Sequence, residues 1–252
     1  MYSSAYDFKA FYTSRIGRVV RRIVQERVRE FWSDVHGLRV MGYGYPVPYM
    51  RMFMEEAERI FTIMPAAQGA HVWPHDGKNL VAVSEESAIP IETSSVDRIL
   101  MMHALEFSEQ LPHNLCELYR ILKPNGRLLV VVPNRAGMWA HAEWSPMGQG
   151  TPYSVAQLSH YLRDHKFIQE RVEEALFMPP YKSSLLMKSA RTVEGLGKTF
   201  LPFVAGLHMV EVSKQVYARP NTPSGNKAPV TRGVRLFGGK VGPVPDGAGR
   251  IK

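Results

Sequence analysis

A chain of 252 residues with 45% hydrophobic content holds one decorated domain, or two at most, around an ordinary globular core. Its single cysteine, Cys116, excludes a disulfide framework and a cysteine-based zinc site, and no stretch reaches the ~18 uncharged apolar residues of a membrane span. The net charge of +8 is concentrated at one end: residues 219–252 carry seven Lys/Arg against Asp246 alone, which leaves the rest near neutral and argues against a folded nucleic-acid reader.

Met1–Asp7 lacks the basic start and apolar run of a signal peptide, so a cytoplasmic protein is expected. Residues 4–35 read as helical. Arg15, Arg18, Arg21, Arg22, Arg27 and Arg29 interleave with Ile16, Val19, Val20, Ile23, Val24 and Val28, the pattern of an amphipathic helix with a basic face. Phe11-Tyr12-Thr13-Ser14, ahead of it, is a candidate cover for whatever the first strand binds, and residues 1–36 are assigned to an N-terminal helical lid. Leu38–Met41 is a short apolar run that ends in Gly42-Tyr43-Gly44-Tyr45-Pro46. Such a run delivers a first parallel strand into a tight turn beneath a helix N-terminus, where backbone N–H groups can face a ligand.

A helix is expected over Tyr49–Glu58, with Met50, Phe53, Met54 and Ala57 on one side. A second strand over Arg59–Met64 is closed by Pro65, and a third over Leu80–Val83 is followed by Glu85 and Glu86. A fourth, over Val96–His103, is nearly continuously apolar, as a strand buried on both faces should be. The helix Glu109–Leu122 shows Leu115, Leu118, Tyr119 and Leu122 on one face, gives Cys116 a packing role, and stops at Lys123-Pro124-Asn125-Gly126. Arg127–Pro133 is the fifth strand. Recurring strand, helix, strand implies a parallel sheet with right-handed crossovers.

Beyond Pro133 the chain reads as a loop over 143–153, a capping-box helix from Ser154 to about His165, a strand over Glu170–Phe177, a helix over Lys182–Lys198 and a last strand over Leu207–Tyr217. Phe177–Tyr181 and Phe200–Val204 could wall an apolar acceptor, cover a sheet edge or meet a second copy. With five prolines and seven glycines, residues 219–252 form a basic tail expected to be disordered, able to touch RNA or an anionic membrane weakly. No metal site is expected. His71 and His75 flank Trp73, but their spacing of four would serve a metal only on a helix, which Pro74 opposes.

Three phrases carry a resemblance to a known family: Val40-Met41-Gly42-Tyr43-Gly44; Ile89-Pro90-Ile91 ahead of Ser95–Leu100; and Glu117-Leu118-Tyr119-Arg120-Ile121-Leu122-Lys123-Pro124-Asn125-Gly126. Over residues 36–133 the chain resembles class I S-adenosylmethionine-dependent methyltransferases, especially the quinone-biosynthesis and related small-molecule branch. The resemblance implies a three-layer α/β, Rossmann-like methyltransferase fold over residues 37–218, with a mostly parallel seven-stranded sheet whose last strand is antiparallel. It implies S-adenosylmethionine as cofactor and methyl transfer to an unidentified small molecule, with a catalytically degenerate binding or assembly protein as the alternative.

Residue by residue, the transfer is uneven. Gly42 stands where the family has an acid, Gly44 matches its first glycine, and Pro46 replaces the second. Met64 and Pro65 occupy the place of the ribose-binding acid, while Glu85, with Glu86 beside it, matches the acid near the adenine. Tyr43 and Tyr45 would offer aromatic surface to an adenosine or a sulfonium. His103, at the end of the fourth strand, is a candidate base or cofactor contact, or a hydrogen-bonded structural histidine. His141, Glu143 and Trp144 are candidates for the acceptor pocket.

Overall fold

The computed structural model describes residues 4–181, 194, 195, 197 and 205–215. The expected helix over 182–198 lies mostly outside them, and Phe200–Val204 and the basic tail wholly so. Chain order is α1 (Ala5–Thr13), α2 (Arg15–Phe31), β1 (Arg39–Gly44), α3 (Val47–Met50), β2 (Arg59–Pro65), β3 (Val81–Ser84), β4 (Val96–Met102), α4 (Leu111–Ile121), β5 (Leu122–Pro133), α5 (Val155–Asp164), β6 (Ile168–Ala175) and β7 (Leu207–Ser213). The strands form one sheet in the order β3-β2-β1-β4-β5-β7-β6. β3, β2, β1, β4 and β5 pair in parallel, and β7 runs antiparallel to both β5 and β6.

Alternation along the strands sorts side chains onto two buried faces. Val40, Met64, Leu100, Met102, Leu129, Val131 and Met209 share one core with α1 and α2. Met41, Tyr43, Ile63, Ile99, Met101, Leu128, Val130 and Val210 share the other with α4 and α5. Helices on both sides of the sheet make three layers.

The Glu117-x-x-Arg120 phrase acts as a clamp. Arg120 donates to the carbonyls of Ile89 and Ile91 at 2.9 and 2.8 Å, and Glu117 accepts from the Ile89 N–H at 3.0 Å while pairing with Arg120. It ties the end of α4 to the loop that feeds β4.

Four expectations are corrected. The helix over 4–35 is two helices, broken at Ser14, whose extended backbone ends α1 and whose hydroxyl caps α2 by accepting from Gly17 N–H at 3.1 Å. The helix over Tyr49–Glu58 shrinks to Val47–Met50 and a single 3-10 turn, Arg51–Phe53. Glu55, Glu56 and Glu58 lie where the C-terminus of a longer helix would be, and its dipole would repel them. Cys116 is exposed, because α4 turns Asn114, Leu115, Leu118 and Ile121 toward the sheet. Leu122, assigned to that helical face, instead begins β5. Ser154 does open α5 with a capping box, closed by Gln157.

His208, on β7, is buried, and its Nδ1 lies 3.7 Å from Glu174 Oε1, too far for a hydrogen bond. Burial lowers its pKa to about 4, so the folded state holds the neutral ring while the unfolded chain binds a proton near the ordinary value of about 6.5. Its contribution is therefore present above pH ~6.5 and is lost as pH falls toward 4, by an order of 3 kcal/mol in all. Burial raises the carboxyl of Glu174, which acts in the opposite sense and offsets part of this loss. Urea-unfolding midpoints between pH 7 and 4 should fall less steeply in His208→Gln than in the parent.

Candidate active site

The carboxyl ends of β1 and β4 lie side by side, with Gly44 paired to Met102. Gly44 adopts φ +83°, and a Cβ there would stand 2.3 Å from the Met102 carbonyl oxygen and 2.6 Å from Ala104 Cβ. Only glycine suits both the conformation and the space. The next residue, Tyr45, donates its N–H to the same carbonyl at 2.7 Å, which pins the turn after β1 onto the end of β4.

His103 follows β4 with φ +52°, a conformation uncommon outside glycine and concentrated at functional sites. Gln68, from the turn after β2, holds it there by donating Nε2–H to the His103 carbonyl at 2.6 Å. The imidazole is 1% exposed and engaged at both nitrogens: Nδ1 lies 3.1 Å from Glu106 Oε1, and Nε2 lies 2.7 Å from the phenol oxygen of Tyr12. An ionised carboxylate only accepts, so Nδ1 carries the hydrogen, Nε2 presents its lone pair, and the Tyr12 hydroxyl donates. Burial, with Tyr49 next to it, pushes the Tyr12 phenol well above its ordinary pKa, which keeps it a donor. A buried Tyr12–His103–Glu106 relay thus joins the N-terminal helix to the end of the fourth strand.

Aromatic rings surround this relay. Phe8 of α1 stacks on His103, with centroids 4.8 Å apart and planes 13° apart. Tyr12 lies parallel to Tyr45 at 6.2 Å and 12°, and Tyr45 bonds His71 Nε2 through its hydroxyl at 2.9 Å. Phe8, Tyr12 and Tyr45 are all at most 4% exposed, so α1 occupies the space above the ends of β1 and β4. The capping box of Ser4 and Asp7 and the apolar spacing Ala5, Phe8, Phe11, Tyr12 explain why this short segment is a helix presenting those rings.

The structure brings Gly44, Tyr45 and His103 together and disperses the other candidates. Tyr43 points to the opposite face of the sheet, where it packs with α4 opposite Asn114 and burial raises its pKa. Gly42 does face the α1 side, but a Cβ there would lie 2.5 Å from Pro46 Cγ and 2.9 Å from Thr62 Oγ1. The proline ring fills the space a carboxylate would need. Met64 and Pro65 are buried at the end of β2. Glu85 is exposed just beyond β3, whereas Glu86 accepts from Ser108 Oγ at 2.5 Å and caps Gln110 N–H at 3.3 Å. Trp144 sits at the rim, 6.4 Å from Phe11, with His141 and Glu143 exposed nearby in sequence. His71 and His75 stack at 6.4 Å, with His71 committed to Tyr45 and to the Val72 carbonyl. Asp34, His36 and Glu56 bring ligand atoms within 4.8 Å of one another, but Arg29 already pairs with Glu56.

Phe8, Gln68 and Glu106 were not singled out from the sequence. The available signal for Glu106 was its place three residues after His103, just past a buried strand.

The profile of a Methyltransferase domain matches residues 41–130, from β1 into β5. No curated protein matches the chain in sequence. Among solved structures, one chain of a complex between the Haloferax volcanii Trm112 methyltransferase activator and a methyltransferase superposes with a TM-score of 0.63 at 15% identity, covering 86% of this chain and 100% of that one. An S-adenosylmethionine-dependent methyltransferase from Archaeoglobus fulgidus gives 0.58 at 17%, covering 82% and 97%. The [4+2]-cyclase SpnF gives 0.51 at 19%, covering 78% and 81%. The fold is the Rossmann-like methyltransferase fold.

Two glycines, Gly37 before β1 and Gly44 at its end, separate strain from crowding. Gly37 has φ +69° with nothing within 4 Å of an added Cβ, whereas Gly44 adds a backbone clash. Gly37→Ala should cost about 1–2 kcal/mol. Gly44→Ala should cost clearly more, read from chemical denaturation with an unchanged slope.

Proposed function

We propose that the protein transfers a methyl group from S-adenosylmethionine to a small-molecule acceptor at the carboxyl edge of β1 and β4. The observation that carries this reading is the turn at Gly44, held on β4 beside the strained His103, at the place where open α/β sheets bind ligands. The match of residues 41–130 to a methyltransferase domain supports it.

The residues fit the cofactor on one side of the crevice and require movement on the other. Glu85 is exposed and free of the Ser108 contact that occupies Glu86, and it follows Ser84, which pairs with Pro65 at the end of β2, so one carboxylate stands beside the apolar end of that strand, as an adenosine would require. Gly44, Tyr45 and His103 would bound the reacting end, where Phe8 and Tyr12 now pack, so α1 gives way when the cofactor enters. With Gly42 and Met64 in place of two carboxylates, affinity rests on backbone, apolar and aromatic contacts. Each missing charge-assisted bond is worth about 1.5–3 kcal/mol.

The cofactor supplies an electrophilic methyl on a sulfonium. The chain supplies alignment, buried aromatic surface from Tyr45 and Tyr49, and a proton acceptor at His103 Nε2.

A second reading, a binding or assembly protein without methyl transfer, draws on the Pro46 ring that fills the place of the lost carboxylate. Fold alone does not choose between them.

Calorimetric titration with S-adenosylmethionine and S-adenosylhomocysteine decides. Saturable heat is expected, with a melting temperature that climbs as ligand exceeds its dissociation constant. Neither heat nor a thermal shift at millimolar ligand would leave the binding-protein reading.

A further inference from the structure

We propose that Tyr12 occupies, in the closed protein, the place of the methyl acceptor; that the acceptor is a hydroxyl on a flat aromatic ring; and that His103 is the base that takes its proton, with Glu106 as its positioning residue. The chemical step rests on the methyl-transfer reading, but the phenol site does not.

The slot is defined by what holds the Tyr12 ring. Tyr45 lies parallel to one face and Tyr49 of α3 stands perpendicular to the ring at 5.9 Å and 85°, and neither belongs to α1. The hydroxyl end of the slot is the lone pair of His103 Nε2, 2.7 Å away. Flat aromatic walls ending in one hydrogen-bond acceptor recognise a phenol better than an aliphatic alcohol.

The occupant comes from an element that can leave. α1 belongs to no strand pairing and is separated from α2 by the extended Ser14. Its withdrawal breaks side-chain packing and leaves the sheet intact.

The dyad is arranged for proton transfer. Glu106 Oε1 fixes the hydrogen on Nδ1, so the lone pair faces the slot. Glu106 Oε2 is buried without a hydrogen-bond partner among the described residues, so the polar contact of this carboxyl is the one to His103, beside which an imidazolium would form. In the step, the acceptor O–H gives its proton to Nε2. The oxygen forms a bond to the methyl carbon as the carbon–sulfur bond breaks, and that electron pair returns to sulfur. The positive charge thus passes from sulfonium to imidazolium beside Glu106, and the proton leaves to water after α1 opens.

The test uses the full chain with Tyr12→Ala, which empties the slot, and 4-methylphenol, the detached tyrosine side chain, as probe. Millimolar 4-methylphenol should raise the melting temperature of this variant by several degrees. Toluene, the same shape without the hydroxyl, should do so much less, and His103→Asn in the same background should abolish the difference. Asparagine tolerates the positive φ at 103 but is too short to reach the probe. Should Tyr12→Ala not fold alone, 4-methylphenol must restore a cooperative melt that toluene does not. Equal effects of the two probes, or none from either, would overturn the phenol site.

With S-adenosylmethionine added, Tyr12→Ala should convert 4-methylphenol to 4-methylanisole, and His103→Asn should slow this about 100-fold or more. Glu106→Gln should move the pH–rate midpoint to lower pH, because the imidazolium loses its carboxylate. An unchanged rate in His103→Asn would refute the base. Failure of the cofactor to bind would refute methyl transfer and leave the probe melts to judge the site.

Discussion

A parallel sheet buried on both faces needs a helical layer on each, and here the layer over one face is supplied from the N-terminus. α4 and α5 cover the side of Met41, Ile99 and Leu128, as the intervening crossovers dictate. The opposite side, with Val40, Leu100 and Leu129, is covered by α1 and α2. Covering that face carries Phe8 and Tyr12 across the ends of β1 and β4. The same packing that completes the core therefore places a phenol against His103.

That placement satisfies groups that would otherwise be costly to bury. A neutral imidazole inside a protein needs partners for both nitrogens, and His103 finds them in Glu106 and Tyr12. Glu211 shows a parallel arrangement: its carboxylate, buried on β7, accepts from Trp32 Nε1 at 2.8 Å and from Arg127 at 2.7 Å. In both cases the N-terminal helical region supplies a donor to a buried polar group of the sheet. Docking of these helices is thus coupled to the electrostatics of the sheet as well as to apolar burial.

Most of the strands were legible because they are compact apolar runs with turn residues around them, and the phrase from Glu117 to Gly126 marked the passage from α4 into β5. The fate of the segment after the first turn was not. Met50, Phe53, Met54 and Ala57 have helical spacing, yet the helix ends early because three glutamates crowd its end and the chain must turn back into β2. Cys116 shows the limit of reading burial from hydrophobicity within a helix, where a rotation of one residue exchanges core for solvent. Glu106 was hidden for another reason. A carboxylate three residues after a histidine is unremarkable until a turn folds the pair back on itself.

The sequence by itself determined the class of the sheet and the glycine turn at its centre, since each depends on residue type or local periodicity. Tertiary structure alone decided that Pro46 fills the space beside Gly42, that Tyr43 and Tyr45 face opposite sides of the sheet, and that Tyr12 meets His103 across 91 residues of chain. Such contacts arise from how layers stack. No periodicity within one segment encodes which distant side chain will be pressed against it.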